Sequence, residues 1–508
     1  MAQPVYAAAL DQGTTGTRCL IFTHSGEVRG SAYQEHQQHY PQPGWVEHDP
    51  LEIWTKSQQV IRAACEAGGV RWDELAGVGI TNQRETTIVW DRRTGTPVYN
   101  AIVWQDTRTR DICQRIIDDG FESYVKRYTG LVSATYFSGP KLKWMLDNIP
   151  GVRRHAQRGE VLFGTVDTWV IWWLTGGPQG GVHITDCSNA SRTMLMNLET
   201  LEWDEEILRY LEIPRACLPA IRPSSDSTYY GTTRRDGPLA GEVPVCAALG
   251  DQQAALVGQI CYDPGDTKNT YGTGNFLLMN TGGKVVHSAN GLLATVAYGL
   301  APRHRVYALE GAIAVTGAAV QWLRDNLGLI ADASETEAAA QSVPDTGGVY
   351  FVPAFSGLFA PHWDMDARGV IVGLTRFTDR RHLIRATLEA ICYQTREVVE
   401  AMRGDAASAL DALKVDGGAV RNNFLMQLQA DILGVPVVRP TVHETTALGA
   451  AYLAGLATGF WSSLDDLRAN WRVERVFEPQ WPEAIREAGY QGWRRAVDRS
   501  RAWVVREG

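Results

Sequence analysis

At 508 residues the chain is longer than one hydrophobic core usually organises, and two large domains are expected. Hydrophobic residues make up 44% and charged residues 21%, and no apolar run approaches the roughly 18 residues that a membrane-spanning helix needs. A net charge of -9 argues against indiscriminate nucleic-acid binding, which needs basic excess to neutralise phosphates.

The first expected strand, Val5 to Leu10, leads into a polar Gly/Thr turn, Asp11 to Arg18, and a second strand, Cys19 to Phe22. The start lacks a basic region followed by a long apolar one, so no secretory leader is expected. Pro50 to Ala67 carries Trp54, Val60, Ile61 and Cys65 near helical spacing. Ala76 to Ile80 reads as a short strand running into Thr81-Asn82-Gln83-Arg84-Glu85. Thr86 to Trp90 resumes β-type residues before a turn at Arg92 to Gly95. The small, apolar run Val245 to Gly250 precedes Asp251-Gln252-Gln253, and a second hairpin-like segment, Thr267 to Asn275, again places Gly and Thr at a turn before Phe276 to Met279. Leu413 to Gly418 and the segment Ala419-Val420-Arg421-Asn422-Asn423 introduce a helix with Phe424, Leu425, Leu428 and Ile432 on one side and Gly434 as its stop. This alternation predicts an α/β fold. Two similar Gly/Thr turns about half a chain apart suggest two related halves, 1–255 and 256–508, facing one cleft.

The eight cysteines are widely and irregularly spaced with no C-x-x-C pair, and the eleven histidines form no H-E-x-x-H. No structural zinc site is expected; reduced thiols in the cytoplasm are.

Glycine lets backbone N–H groups approach phosphate oxygens, and threonine adds neutral donors. Two such turns could hold a nucleotide's phosphates from both sides, with the Gly417-Gly418 unit as a platform for base and ribose. Hairpin formation alone also accounts for either turn. No P-loop or Rossmann glycine pattern is present. Arg84-Glu85 offers a cation and a carboxylate to vicinal hydroxyls, or forms a solvated surface pair. Asp251 is placed to take a hydroxyl proton during phosphoryl transfer, or to cap the next helix. His362-Trp363-Asp364 reads as local packing, since no third ligand accompanies it.

Longer blocks carry a resemblance. ALDQGTTGTR at 9–18, PGWVEHDP at 43–50, GITNQRETTIVWD at 79–91, SNASRTMLMN at 188–197, GDQQAALVGQ at 250–259, KNTYGTGNFLLMNTG at 268–282, YALEGAIAVTGAAVQWLRD at 307–325 and VDGGAVRNNFLMQLQADILG at 415–434 stand in the order of the FGGY carbohydrate kinase family. The chain resembles the branch of that family acting on glycerol more than its pentulokinases. The resemblance implies two ribonuclease H-like, actin/hexokinase-like domains flanking a cleft, and transfer of the ATP γ-phosphoryl group to the 3-hydroxyl of glycerol with Mg2+ in the cytoplasm. It implies that Arg84, Glu85, Tyr136, Asp251 and Gln252 bind glycerol, that Trp104 and Phe276 wall its carbon skeleton, and that Asp251 is the catalytic base. It assigns Thr14, Thr15, Gly16 and Arg18 to the first phosphate loop and Thr273 to the second. Gly317, Gln321, Gly418 and Asn422 take the remaining nucleotide contacts, and Asp11 stands near the magnesium, acting through water. A homodimer or homotetramer is implied, with neither nucleic acid nor membrane insertion. Gly16 departs from the family pattern: many members carry Ser there, so one hydroxyl donor is lost. A kinase of another polyol or ketose, and a non-catalytic ATP-binding module, are the alternative readings.

Overall fold

The computed structural model describes residues 4–301, 304–406 and 408–504. Strands β1 (Tyr6–Gln12) and β2 (Gly16–Thr23) pair antiparallel with Asp11 opposite Arg18 and Gln12 opposite Thr17, so the first turn shrinks to residues 13–15. It is shorter than its polar sequence suggests because buried Gln12 donates through Nε2 to Thr17 Oγ1 at 3.3 Å, letting polar residues continue the ladder. Strand β3 (Val28–Glu35) completes a meander. Helix α1 (Pro50–Gly68) starts where Asp49 Oδ1 accepts from the Leu51 N–H at 2.8 Å and ends at Gly69, whose φ of 63° lies in the left-handed region.

Strand β4 (Leu75–Asn82) then joins parallel to β1. A long, mainly helical insertion follows, including α2 (Ser138–Asn148), with its own apolar core around Phe137, Leu142 and Met145. The sheet is completed by β5 (Gly231–Thr232) and β6 (Pro244–Gly250), giving the order β5-β6-β4-β1-β2-β3. Helix α3 (Asp251–Gly258) follows β6 directly.

The second sheet comprises β7 (Thr267–Tyr271), β8 (Asn275–Gly282), β9 (Leu293–Ala301), β10 (His304–Ile313), β11 (Leu413–Asp416), β12 (Val437–Pro440) and β13 (Val473–Phe477), in the order β9-β10-β8-β7-β11-β12-β13. Its helices include α4 (Gly317–Asp325), α5 (Arg380–Ala406), α6 (Asn423–Leu433) and α7 (Thr445–Thr458). The run β10-β8-β7-β11-β12 repeats β3-β2-β1-β4-β6: an antiparallel meander, then two parallel strands. Each half is therefore ribonuclease H-like, and the molecule is an actin/hexokinase-like pair.

Helices α3 and α7 cross between the sheets, and each is buried on nearly every side. Helix α7 belongs to the second half yet packs on β1, β4 and β6 of the first. Glycines set the spacing: a Cβ on Gly449 would stand 1.9 Å from Ala254 O, one on Gly258 2.0 Å from Thr445 O, and one on Gly79 2.1 Å from Ala450 O. Among the described residues no helix is long and apolar enough to cross a membrane. The eight cysteines are free, and all but Cys65 are buried.

Candidate active site

Arg84 and Glu85 lie just past the C-terminal end of β4, where ligands gather in parallel sheets. The chain reverses sharply there: the Thr86 N–H donates to Arg84 O at 2.7 Å, and Glu85 takes a φ of 62°, a strained conformation for a residue with a side chain. The surface-pair reading fails, because the Arg84 and Glu85 side chains are 2% and 1% exposed.

The Arg84 guanidinium is almost fully engaged. Its Nε lies 3.1 Å from Asp251 Oδ1, Nη1 donates to Gln253 Oε1 at 3.2 Å, and Nη2 donates to Tyr136 Oη at 3.3 Å and Glu310 Oε1 at 3.1 Å. Nη1 also donates to the other Glu310 oxygen. Arg192 completes the cluster, donating through Nε to Glu85 Oε1 at 2.7 Å and through Nη2 to Glu310 Oε1 at 3.0 Å. Burial raises the Glu85 carboxyl above its ordinary range against the pull of Arg84 and Arg192. For Glu310 burial pushes the same way, but Arg192 and Arg84 prevail and hold it low.

Asp251 opens α3 and is the half-open member of the group, with its side chain 30% exposed. Gln252, beside it, is buried, and its side-chain oxygen accepts from Lys268 Nζ. Lys268 is itself buried and also donates to Thr270 Oγ1 at 2.8 Å and Phe276 O at 3.2 Å; burial lowers its ammonium to about 8. With the Gln252 oxygen engaged, its amide N–H groups are the donors left for a ligand.

Aromatic rings form the wall. Trp104 meets Tyr136 edge-on at 5.6 Å and Phe276 at 6.3 Å, and the Arg84 guanidinium lies 5.7 Å from the Phe276 ring centre. Tyr136 is held at the start of α2 by buried Lys141, whose Nζ donates to Thr135 O at 2.8 Å and Phe137 O at 3.2 Å as well as to Tyr136 O. Trp104 Nε1 donates to Thr14 Oγ1 at 2.9 Å, which joins the wall to the first Gly/Thr turn.

Gln83 braces that turn, its Nε2 donating to Gly13 O at 3.1 Å and Gln12 Oε1 at 3.0 Å. Thr15 is exposed and Thr14 half-buried. Arg18 forms an ion pair across the cleft with Glu444, at the start of α7. Asp11 has its carboxyl pushed up to about 7 by burial, against Arg18 and with reinforcement from Asp251 and Glu444.

The second turn rests on α4. The Thr316 and Ala318 N–H groups both donate to Thr273 O at 3.0 Å, and a Cβ on Gly317 would lie 2.4 Å from Gly272 O. Thr273 is exposed, as is Gln321 one turn along α4. Gly417 has a φ of 93°, and a Cβ there would lie 2.3 Å from Tyr271 O, whereas Gly418 faces open space. Asn422 Oδ1 accepts from the Leu425 N–H at 2.9 Å as the N-cap of α6, and its amide donates to Thr336 Oγ1 at 3.2 Å.

The structure therefore brings Arg84, Glu85, Trp104, Tyr136, Asp251, Gln252 and Phe276 into one contiguous group joined to Thr14. Thr273 and Gly317 form a second group on the opposite lobe, beside the strand that leads to Gly418. Sequence reasoning passed over Glu310, Arg192, Lys268 and Glu444. The usable signal was a lone charge inside the apolar run of β10, which demands a buried partner.

Among the described residues no cluster of three or more His, Cys, Asp or Glu side chains could hold a metal by itself. The half-buried Asp11 carboxyl, whose charge is felt together with those of Asp251 and Glu444, nonetheless suits a cation that arrives with its own phosphate ligands.

Two lobes of one topology, with Gly/Thr turns on both sides of a carboxylate–guanidinium cluster, define a phosphotransferase cleft of the actin/hexokinase type. Residues 6–258 match the N-terminal domain of the FGGY family of carbohydrate kinases and residues 267–458 its C-terminal domain, and the chain belongs to that family. It is 62% identical over 499 residues to the glycerol kinase of Chloroflexus aurantiacus, covering 98% of this chain and 99% of that protein. It is 60% identical over 499 residues to the glycerol kinase of Mycolicibacterium gilvum, with the same coverage of 98% and 99%. Among solved structures, Plasmodium falciparum glycerol kinase with ADP superposes with a TM-score of 0.91 at 36% identity, covering 100% of both chains. The xylulose kinase of Lactobacillus acidophilus shares the fold, with a TM-score of 0.86 at 23% identity over 98% of this chain and 97% of that one.

Proposed function

We propose that the protein transfers the γ-phosphoryl group of ATP to the terminal hydroxyl of glycerol, giving sn-glycerol 3-phosphate and ADP. The observation that carries this reading is the half-open Asp251 carboxylate held 3.1 Å from Arg84, beside Glu85 and the aromatic wall. A small triol offers hydroxyls that both donate and accept, which this alternation of carboxylate, guanidinium, amide and phenol satisfies.

Asp251 orients the attacking hydroxyl and takes its proton, late in a loose phosphoryl-transfer state. Trp104 and Phe276 bury the carbon skeleton and exclude water. Thr14, Thr15, the Gly16 backbone and Arg18 bind phosphates from one lobe, and Thr273 from the other. Gly317, Gln321, Gly418 and Asn422 border the adenosine; Asn422 does so while capping α6. The first lobe, residues 1–255, supplies the acceptor grip and first loop, and residues 256–508 the second loop and nucleoside side. Asp11 would help hold, through water, a Mg2+ ion arriving with the nucleotide, and that ion would supply positive charge to offset the phosphates. Approach of the lobes across the Arg18–Glu444 pair sequesters the reaction.

Asp251→Asn preserves the shape of the site and removes the proton acceptor. Its glycerol-dependent ADP release should fall by about a thousandfold, within the scale of lost general-base catalysis, while ADP binding by calorimetry and the melting temperature stay at wild-type values. Near-normal turnover in that variant would remove Asp251 from the base role.

A further inference from the structure

On the first lobe, Asp11, Arg18 and Tyr33 stand in one cross-strand row, Asp11 opposite Arg18 and Arg18 opposite Tyr33. Directly opposed residues of an antiparallel pair share a face, so Tyr33 lies on the face that carries the phosphate-side residues. Gly16 is two positions before Arg18 on β2 and shares that face. A Cβ built on Gly16 would lie 2.6 Å from Tyr33 Oη and 2.7 Å from its ring. The phenol, together with the Gln34 carbonyl oxygen that would also stand 2.6 Å away, occupies the space that a side chain at position 16 would fill. The Arg18 guanidinium lies 5.2 Å from the Tyr33 ring centre, which fixes the ring beside the turn. Tyr33 is 44% exposed, and among the described residues no protein group takes its hydroxyl. A fixed, exposed and unspent O–H donor therefore stands at the mouth of the first Gly/Thr turn, beside the one position between Thr14 and Thr17, Gly16, that offers no side-chain hydroxyl.

We propose that Tyr33 is a nucleotide-binding residue of this chain, its hydroxyl donating to a phosphate oxygen of the bound ATP in place of a side-chain donor at position 16. The proposal rests on the reading of the cleft as an ATP site. Gly16 and Tyr33 then form one unit: the glycine makes room, and the tyrosine supplies the donor from the neighbouring strand.

Tyr33→Phe keeps the ring and its contact with Arg18 and removes only the hydroxyl. Binding of Mg-ATP, measured by calorimetry without glycerol, should weaken about tenfold, the scale of one hydrogen bond to a charged group. Adenosine binding, the KM for glycerol and the melting temperature should not change. ATP affinity in Tyr33→Phe within about twofold of wild type, well below what such a bond is worth, would overturn the proposal. So would equal weakening of ATP and adenosine, or a lowered melting temperature, either of which assigns Tyr33 a packing role. Because the titration omits the acceptor, a wild-type protein that binds Mg-ATP without turning over glycerol would defeat the proposed reaction and leave the Tyr33 test intact.

Discussion

Arg84 presents five N–H donors, and the protein spends them on Asp251, Gln253, Tyr136 and both oxygens of Glu310. Glu310 comes from the other lobe, 226 residues further along the chain, and is the acceptor shared by Arg84 and Arg192. Glu310→Gln keeps the volume but leaves two buried guanidiniums facing a neutral amide. The expected cost is about 3 kcal/mol of stability, with a glycerol KM raised about tenfold and an ATP KM near wild type; chemical denaturation and steady-state kinetics check the three together. An unchanged glycerol KM would show that Glu310 braces the fold without setting the acceptor grip. The same geometry explains why the residues alone left Arg84-Glu85 open between grip and surface pair: burial of a pair is decided by whatever packs over it, and here that is a distant strand. Asp251 was ambiguous for a different reason. A carboxylate that begins a helix looks the same in sequence whether or not a guanidinium waits beside it.

At the level of elements, the Gly/Thr turns, the helix Pro50–Gly68 and the Gly434 stop were legible because their causes are local: φ preferences, capping and apolar spacing. What the residues did not disclose is that α7, from the second half, packs on the sheet of the first. That docking depends on glycines whose role appears only when two backbones meet. Gly449→Ala puts a Cβ at 1.9 Å from Ala254 O, against backbone that no rotamer change can clear. It should destabilise the protein by about 1–3 kcal/mol through overpacking, even though alanine is the better helix former. A thermal melt reads this directly, and an unchanged or raised melting temperature would mean that α3 and α7 slide apart at little cost. The second turn is likewise fixed by α4, since Thr316 and Ala318 both donate to Thr273 O, as well as by its own Gly272 N–H, which donates to Gly274 O at 2.9 Å.

For the whole molecule, the topology repeats, and each Gly/Thr turn joins the same two strands of its half, β1 to β2 and β7 to β8. Stability should fall on the acid side in a predictable way. His48 is fully buried, packed edge-on against His36 at 4.6 Å, and burial lowers it from 6.5 to about 3. Between those values the unfolded chain binds the proton and the folded one does not, so stability decreases as pH falls through 6.5 towards 3. At about pH 5 this one group accounts for about 2 kcal/mol. The loss should shrink in His48→Asn, as followed by denaturation at pH values across that window; an identical pH dependence in the variant would place the acid sensitivity elsewhere. The central claim concerns the reaction. The most direct measurement is ADP release from Mg-ATP by the wild-type protein with no acceptor, with glycerol, with dihydroxyacetone and with a pentulose. The account predicts strong stimulation by glycerol above the other two and little turnover without an acceptor. Stimulation by the pentulose alone, or by no acceptor at all, would contradict it.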